Sequence, residues 1–342
     1  MKLLLYTCML QVCAVFAISR FAASPGNKPK FQTVANNYTF LVLADWGGIP
    51  IWPYFSPFQW AVANQMSNTA SDHIAKFILA LGDNFYEKGV TSVDDPRFNE
   101  TYEDVFQWPS MQIPWYVVGG NHDHYGNISA QVAYTKVSQR WMFPDYYHSH
   151  TFEIPNFNRR LAIILVDTVI LCGNTHDKTT GSDLPGPSST TAAEEQWDWL
   201  EKQLEASKSA DYLIVGGHFP VWSIAEHGPT KILVDRLLPL LEKYNVTAYF
   251  CGHDHNLQHI KQDNSTVEYF VIGSADIVEP SRRHADSIPP SWLKFMDDNV
   301  ASLGGFARVT ITNDNMFLTF MTGLYGKDVY TVKMNPRPKS LD

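Results

Sequence analysis

The chain has 342 residues, 45% of them hydrophobic and 18% charged, with a formal net charge of −9. That balance is ordinary for a soluble globular protein with a large core. With acidic net charge and no basic stripe, nucleic acid is excluded as a partner, and any affinity for phosphate must come from a local positive centre.

Residues Leu3 to Ile18 form an almost wholly apolar run behind Lys2 and lead to Ala17-Ile18-Ser19, which has the small-x-small form of a cleavage site. Residues 1–19, with the boundary set between 19 and 24, are therefore expected to be a secretory signal peptide. The run is short for a bilayer, and no later stretch is long and apolar enough to cross one, so no membrane span is expected. The remaining 20–342 shows neither an internal repeat nor a composition break and reads as a single domain.

Five short apolar runs with the character of buried strands each end in a polar cluster. Phe40 to Ala44 runs into Asp45-Trp46-Gly47, and Phe77 to Leu81 into Gly82-Asp83-Asn84-Phe85-Tyr86. Trp115 to Val118 precedes Gly119-Gly120-Asn121-His122-Asp123, Tyr212 to Val215 precedes Gly216-Gly217-His218, and Ala248 to Cys251 precedes Gly252-His253-Asp254-His255. The carboxyl ends of strands are where α/β sheets hold ligands, and a glycine beside each polar residue lets the backbone turn tightly.

Between these clusters, Ile49 to Phe58 carries three prolines and several aromatics and could wall a pocket. Gly173 to Thr191 reads as a long loop, and Glu194 to Ala206 as a helix with Trp197, Leu200 and Leu204 on one face. From Val267 the pattern changes to successive strands, Val267 to Ile272, Phe306 to Thr312, Met316 to Thr322 and Asp328 to Met334, with a hairpin turn at Asn313-Asp314-Asn315. Mixed sheets with helices outside fit this order better than a simple doubly wound fold.

Cys8 and Cys13 leave with the signal, and Cys172 and Cys251 could pair in an oxidising compartment. Sequons at Asn37, Asn99, Asn127, Asn245 and Asn264 mark expected glycosylation sites at exposed positions.

Gathered at one point, Asp45, Asp83, Tyr86, Asn121, His218, His253 and His255 would be too costly to bury without cations. Seven donors exceed one tetrahedral ion and suit two ions if one carboxylate is shared. Phenolate and carboxylates favour a hard, highly charged cation, and the amide and imidazoles a divalent one. Asp123 is expected to orient His122, His124 is left open, and His73, His148, His150, His176 and His284 read as structural.

In these motifs the chain resembles the small, mammalian-like, tartrate-resistant purple acid phosphatases of the binuclear, calcineurin-like metallophosphoesterases, over nearly the whole length after the signal. The resemblance implies a four-layer α/β/β/α sandwich with two mixed β-sheets. It implies a ferric ion on Asp45, Asp83, Tyr86 and His255, and a divalent ion, Fe(II) or Zn(II), on Asp83, Asn121, His218 and His253, with Asp83 bridging. It further implies an acid phosphatase that hydrolyses phosphate monoesters (phosphoproteins, nucleotides, aryl phosphates) by metal-hydroxide attack, with His122 and His227 as substrate contacts or acids. The protein serine/threonine phosphatases of the superfamily carry a histidine where this chain has Gly47 and an aspartate where it has Tyr86. The ions, less Asp45, Asp83, Tyr86 and a bridging hydroxide, leave a charge of about +1 to attract a phosphate dianion. A loop in the position of 173–191, here bearing Asp177 and Asp183, lies over the site in this family and is relieved by proteolysis. A monomer in the lysosome or secreted is expected. Two other functions stand beside this one: a zinc or manganese phosphodiesterase on the same scaffold, and a secreted glycoprotein that binds without catalysis.

Overall fold

The structure, a computed structural model, describes residues 37–155, 157–173 and 186–338. The expected signal peptide, His176, Asp177, Asp183 and most of the loop 173–191 lie outside the described residues.

Two seven-stranded mixed sheets stack face to face. The first contains β1 (Tyr38–Leu43), β2 (Ile78–Leu81), β3 (Trp115–Val118), β4 (Trp141–Met142), β12 (Gly305–Ile311), β13 (Met316–Thr322) and β14 (Asp328–Met334), in the order β14-β13-β12-β1-β2-β3-β4. The second contains β5 (His148–Ile154), β6 (Arg159–Leu165), β7 (Tyr212–Gly216), β8 (Ala248–Cys251), β9 (Leu257–Ile260), β10 (Glu268–Ile272) and β11 (Leu293–Asp297), in the order β11-β9-β10-β8-β7-β6-β5. Strands β1, β2 and β3 run parallel in one sheet, and β6, β7, β8 and β10 in the other. Their interiors are buried on both faces, which is why they read as continuous apolar runs rather than alternating ones.

Between the sheets lies a core that includes Phe40, Val42, Leu79, Ile163, Ile214, Phe250 and Phe270. The outer face of the first sheet packs beneath α1 (Pro57–His73) and α3 (Ile128–Tyr134), while the one-turn α2 (Asn121–His124) follows the carboxyl end of β3; the outer face of the second sheet packs beneath α4 (Thr168–Cys172), α5 (Thr190–Ala206) and α6 (Leu238–Lys243). This is the four-layer sandwich. Helix α1 begins where Ser56 Oγ accepts from Gln59 N at 3.0 Å with Pro57 in the first turn, and α5 where Ser189 Oγ accepts from Ala192 N at 3.2 Å. Helix α5 starts before the expected Glu194 and buries Ala193, Trp197, Leu200 and Leu204 on one face.

The possible pairing of Cys172 with Cys251 is not formed; both are buried free thiols. Cys251 ends β8 with its Sγ donating to the Phe270 carbonyl at 3.4 Å, and Cys172 ends α4 within the apolar layer above the sheet. Burial pushes both thiols up, so they behave as small apolar side chains.

At the β5 edge, His148 Nε2–H donates to the Val117 carbonyl at 2.9 Å, which leaves its Nδ1 to accept from His150 Nε2–H at 2.8 Å. That pairing needs a neutral His148, and burial pushes its pKa down to about 4 from 6.5. The folded value lies below the unfolded one, so the stability supplied by the neutral ring is present above pH 6.5 and is lost as pH falls through 4. His148→Gln keeps a donor for Val117 and is expected to remove about 3 kcal/mol of the stability lost between pH 7 and pH 4. Denaturant unfolding of both proteins at the two pH values checks this.

Candidate metal centre

The carboxyl ends of the parallel strands of both sheets meet in one place, so five loops converge there. Loops after β1 and β2 are laced together by Asp45 N to Gly82 O at 3.0 Å and Tyr86 N to Gly47 O at 3.0 Å. Asp123 joins the loops after β2 and β3: it accepts from Asn84 N, Phe85 N, Gly120 N and Gln131 Nε2 at 2.8 to 3.2 Å. Asp123 therefore fixes backbone rather than His122, whose Nδ1–H donates instead to the Glu87 carbonyl at 2.6 Å. Across the sheets, Gly252 N donates to His218 O at 2.9 Å, His253 N to Asp45 Oδ2 at 2.8 Å, and His218 Nδ1–H to Leu81 O at 3.0 Å.

On one side of the centre stand Asp45, Tyr86 and His255. Tyr86 Oη lies 3.0 Å from Asp45 Oδ1 and 3.1 Å from His255 Nε2, and the carboxylate and imidazole are 3.5 Å apart. On the other stand Asp83, Asn121, His218 and His253. His218 Nε2 lies 3.1 Å from Asn121 Oδ1 and 3.4 Å from Asp83 Oδ2, and donor atoms of Asp83, His218 and His253 fall within 4.8 Å of one another. Bonds of about 2.1 Å would place neighbouring donors about 3.0 Å apart around an octahedral ion and about 3.4 Å apart around a tetrahedral one. The five separations of 3.0 to 3.5 Å are edges of that size, and His253 stands within 4.8 Å of its neighbours, so the residues fit two ions.

Asp45, Asp83 and His253 occupy left-handed backbone at φ 56°, 49° and 71°, uncommon for residues with side chains and often found at functional sites. Two glycines stay bare because candidate donor atoms press on them. A Cβ on Gly120 would stand 2.2 Å from Asp83 Oδ1, and one on Gly252 would stand 2.2 Å from Asp45 Oδ2. Gly252→Ala is thus expected to push Asp45 aside and lower bound metal per chain at least about tenfold at limiting metal, read by elemental analysis.

The electrostatics suit cations. Burial opposes charge on His218, but Asp83 and Asp45 outweigh it and raise the ring to about 9. Burial also opposes ionisation of Asp83, yet His218 and His122 hold it below the usual carboxylate range. Because the Leu81 carbonyl fixes His218 Nδ1–H, the proton that a cation displaces comes from Nε2. Burial, then Asp45 and Asp83, drive the Tyr86 phenol well above 10.

Around the donors, His122 Nε2 lies 3.9 Å from Asp83 Oδ2, and the exposed His227 ring stacks on His253 with centroids 4.0 Å apart. His124 turns away from the donors to Asp167 Oδ2 at 2.7 Å, and Asp167 Oδ1 caps α4. His284 Nδ1–H donates to Ala225 O at 2.8 Å, a structural role as expected.

Sequence reading missed several supports. Asp254 lies inside the Gly252 to His255 cluster, where its position between two histidines was the available signal. Arg97, whose guanidinium donates to the carbonyls of Tyr86 and Gly47, and Asp276, whose Oδ1 is buried without a partner, gave none.

The calcineurin-like phosphoesterase family model matches residues 38–257. Tartrate-resistant acid phosphatase type 5 of Oryctolagus cuniculus is 47% identical over 302 residues, 88% of this chain and 92% of that one. Purple acid phosphatase 4 of Arabidopsis thaliana is 32% identical over 290 residues, 82% of this chain and 79% of that one. Among solved structures, GAP50, described as the anchor in the inner membrane complex of Plasmodium, aligns with a TM-score of 0.75 at 26% identity, over 89% of this chain and 90% of that one.

Proposed function

The chain belongs to the calcineurin-like phosphoesterases, among the tartrate-resistant purple acid phosphatases, and on that premise we propose that Asp45, Asp83, Tyr86 and His255 hold a ferric ion while Asp83, Asn121, His218 and His253 hold Fe(II) or Zn(II). Its activity is that of an acid phosphatase, and phosphate monoesters are the proposed substrates. The observation that carries the reading is the buried convergence of one phenol, two carboxylates, an amide and three imidazoles at separations that match coordination edges.

When bound, the ions supply positive charge for the phosphoryl oxygens and acidify a water. The protein supplies the rest. Asp83 belongs to the second group, and its charge also acts on Tyr86 and His255 of the first, which supports it as the residue both ions would share. A phenol oxygen beside a carboxylate is a hard donor, which supports a ferric ion on the Tyr86 side. His122 lies beside Asp83 and His227 stacks on His253, both outside the donor set, which supports them as the groups that protonate a departing alkoxide. His122 would do so from Nε2, since Nδ1–H is committed to Glu87.

The proposal extends to the secretory pathway, lysosomal or secreted. Asn99, Asn127, Asn245 and Asn264 are exposed and Asn37 half-buried, so the sequons lie where glycans fit. Among the described residues, no helix is long and apolar enough to cross a membrane.

The test is the visible spectrum of the purified glycoprotein before and after a mild reductant, with phosphatase activity followed against pH. A violet band that shifts on reduction, with activity on the acid side, is the expected result. A colourless protein holding zinc or manganese would overturn the iron assignment and favour the phosphodiesterase reading. The likeness to a protein described as an anchor gives binding without catalysis a specific footing. A folded protein with no turnover on any phosphate ester would decide for that reading.

A further inference from the structure

We propose that Asp254, which touches no donor atom of the proposed ions, is a positioning residue that couples the turn carrying His253 and His255 to the substrate-facing His227. The inference rests on the reading of His227 given above. Asp254 lies between the two histidines in sequence, is 1% exposed, and points into a buried polar network. Its Oδ1 accepts from His227 N at 2.9 Å, and its Oδ2 accepts from Ser223 Oγ. Ser223 Oγ in turn accepts from Ala225 N at 3.1 Å and from Gln258 Nε2 at 2.8 Å, and Gln258 Oε1 accepts from Ile224 N at 3.0 Å. Ser223 and Gln258 are fully buried.

Every donor that this network satisfies with Asp254, Ser223 Oγ or Gln258 Oε1 belongs to the segment 223–227 or to Gln258, which lies three residues beyond His255. A buried polar network of this kind is costly unless complete, and complete it fixes one geometry. The geometry fixed here seats an exposed imidazole on the ring of His253 at 4.0 Å. Without the carboxylate, the His227 amide and the Ser223 hydroxyl lose their acceptor, and the loop is free to leave the ring. Asp254 thereby links the position of the acid to the position of the metal-ligand turn, which a loop held only by surface contacts would not do.

The test is a double-mutant cycle on the metal-loaded enzyme, using Asp254→Asn and Ser223→Ala, each alone and combined with His227→Ala. Turnover is measured on an aryl phosphate with a good leaving group and an alkyl phosphate with a poor one, with metal per chain measured in parallel. Each single variant of the network is expected to lower kcat about tenfold on the alkyl ester and about twofold on the aryl ester. In the His227→Ala background the further loss should be less than about twofold, with metal content unchanged. Losses that simply multiply, or a loss of metal, would overturn the proposal and make Asp254 a support of the ligands alone. If His227→Ala itself lowers both esters equally, the role given to His227 falls, and the coupling falls with it. Should Asp254→Asn not fold, Ser223→Ala carries the same cycle.

Discussion

Asp83→Asn is expected to lower phosphatase turnover by on the order of 10³ or more and to reduce the metal content of both halves of the centre. Asp83 is 1% exposed and is the carboxylate proposed to be shared by the two ions. Its Oδ2 lies 3.4 Å from His218 Nε2, and its Oδ1 accepts from His122 N at 3.0 Å. Asparagine preserves shape but puts an N–H₂ group where one of these oxygens would face a cation, and it removes the charge that both proposed ions would use. The substitution also removes the largest influence raising His218, so that ring would hold its proton less firmly. Loss of metal in the variant is therefore attributable to the missing carboxylate and not to a protonated imidazole. Elemental analysis, turnover and thermal unfolding, measured together, check the result. A variant that keeps two metals per chain and near-normal turnover would show that Asp83 is not shared.

Tyr86→Phe is expected to abolish the violet absorption while leaving the fold intact and lowering turnover by about tenfold. The phenyl ring retains its edge contact with His122, whose centroid is 4.8 Å away, and only the hydroxyl near Asp45 and His255 is lost. Asp45 and His255 would still hold an ion there, so iron content is expected to fall less than in Asp83→Asn. The spectrum isolates the phenol because no other tyrosine among the seven proposed donors could give the band. A variant that stays violet would move the colour to another residue and remove Tyr86 from the centre.

Much of this centre is legible in sequence because the physics that produces it is local. A strand buried on both faces must be apolar, and a parallel strand delivers its next residues to one edge, so an apolar run ending in a glycine and a polar residue marks both strand and site. Tyr38–Leu43, Trp115–Val118 and Ala248–Cys251 were readable for that reason. His148–Ile154 and Arg159–Leu165 were harder: the first carries two histidines, a threonine and a glutamate at a sheet edge, and the second opens with two arginines. The very short Trp141–Met142, with Leu257–Ile260 and Leu293–Asp297, is defined by its neighbours more than by its own pattern.

The sequence by itself determined the strand ends, the seven candidate donor residues and the acidic chain around them, because each depends on residue type within a few positions. Only the tertiary structure decided which residues hold those donors in place. Asp123 binds the N–H groups of Asn84 and Phe85, 39 and 38 residues away, Arg97 reaches back to carbonyls 11 and 50 residues away, and Asp254 reaches Ser223 across 31. It also decided that Cys172 and Cys251 stay apart as thiols and that His124 serves Asp167. Such contacts are made by residues distant in the chain, and local patterns carry no record of them.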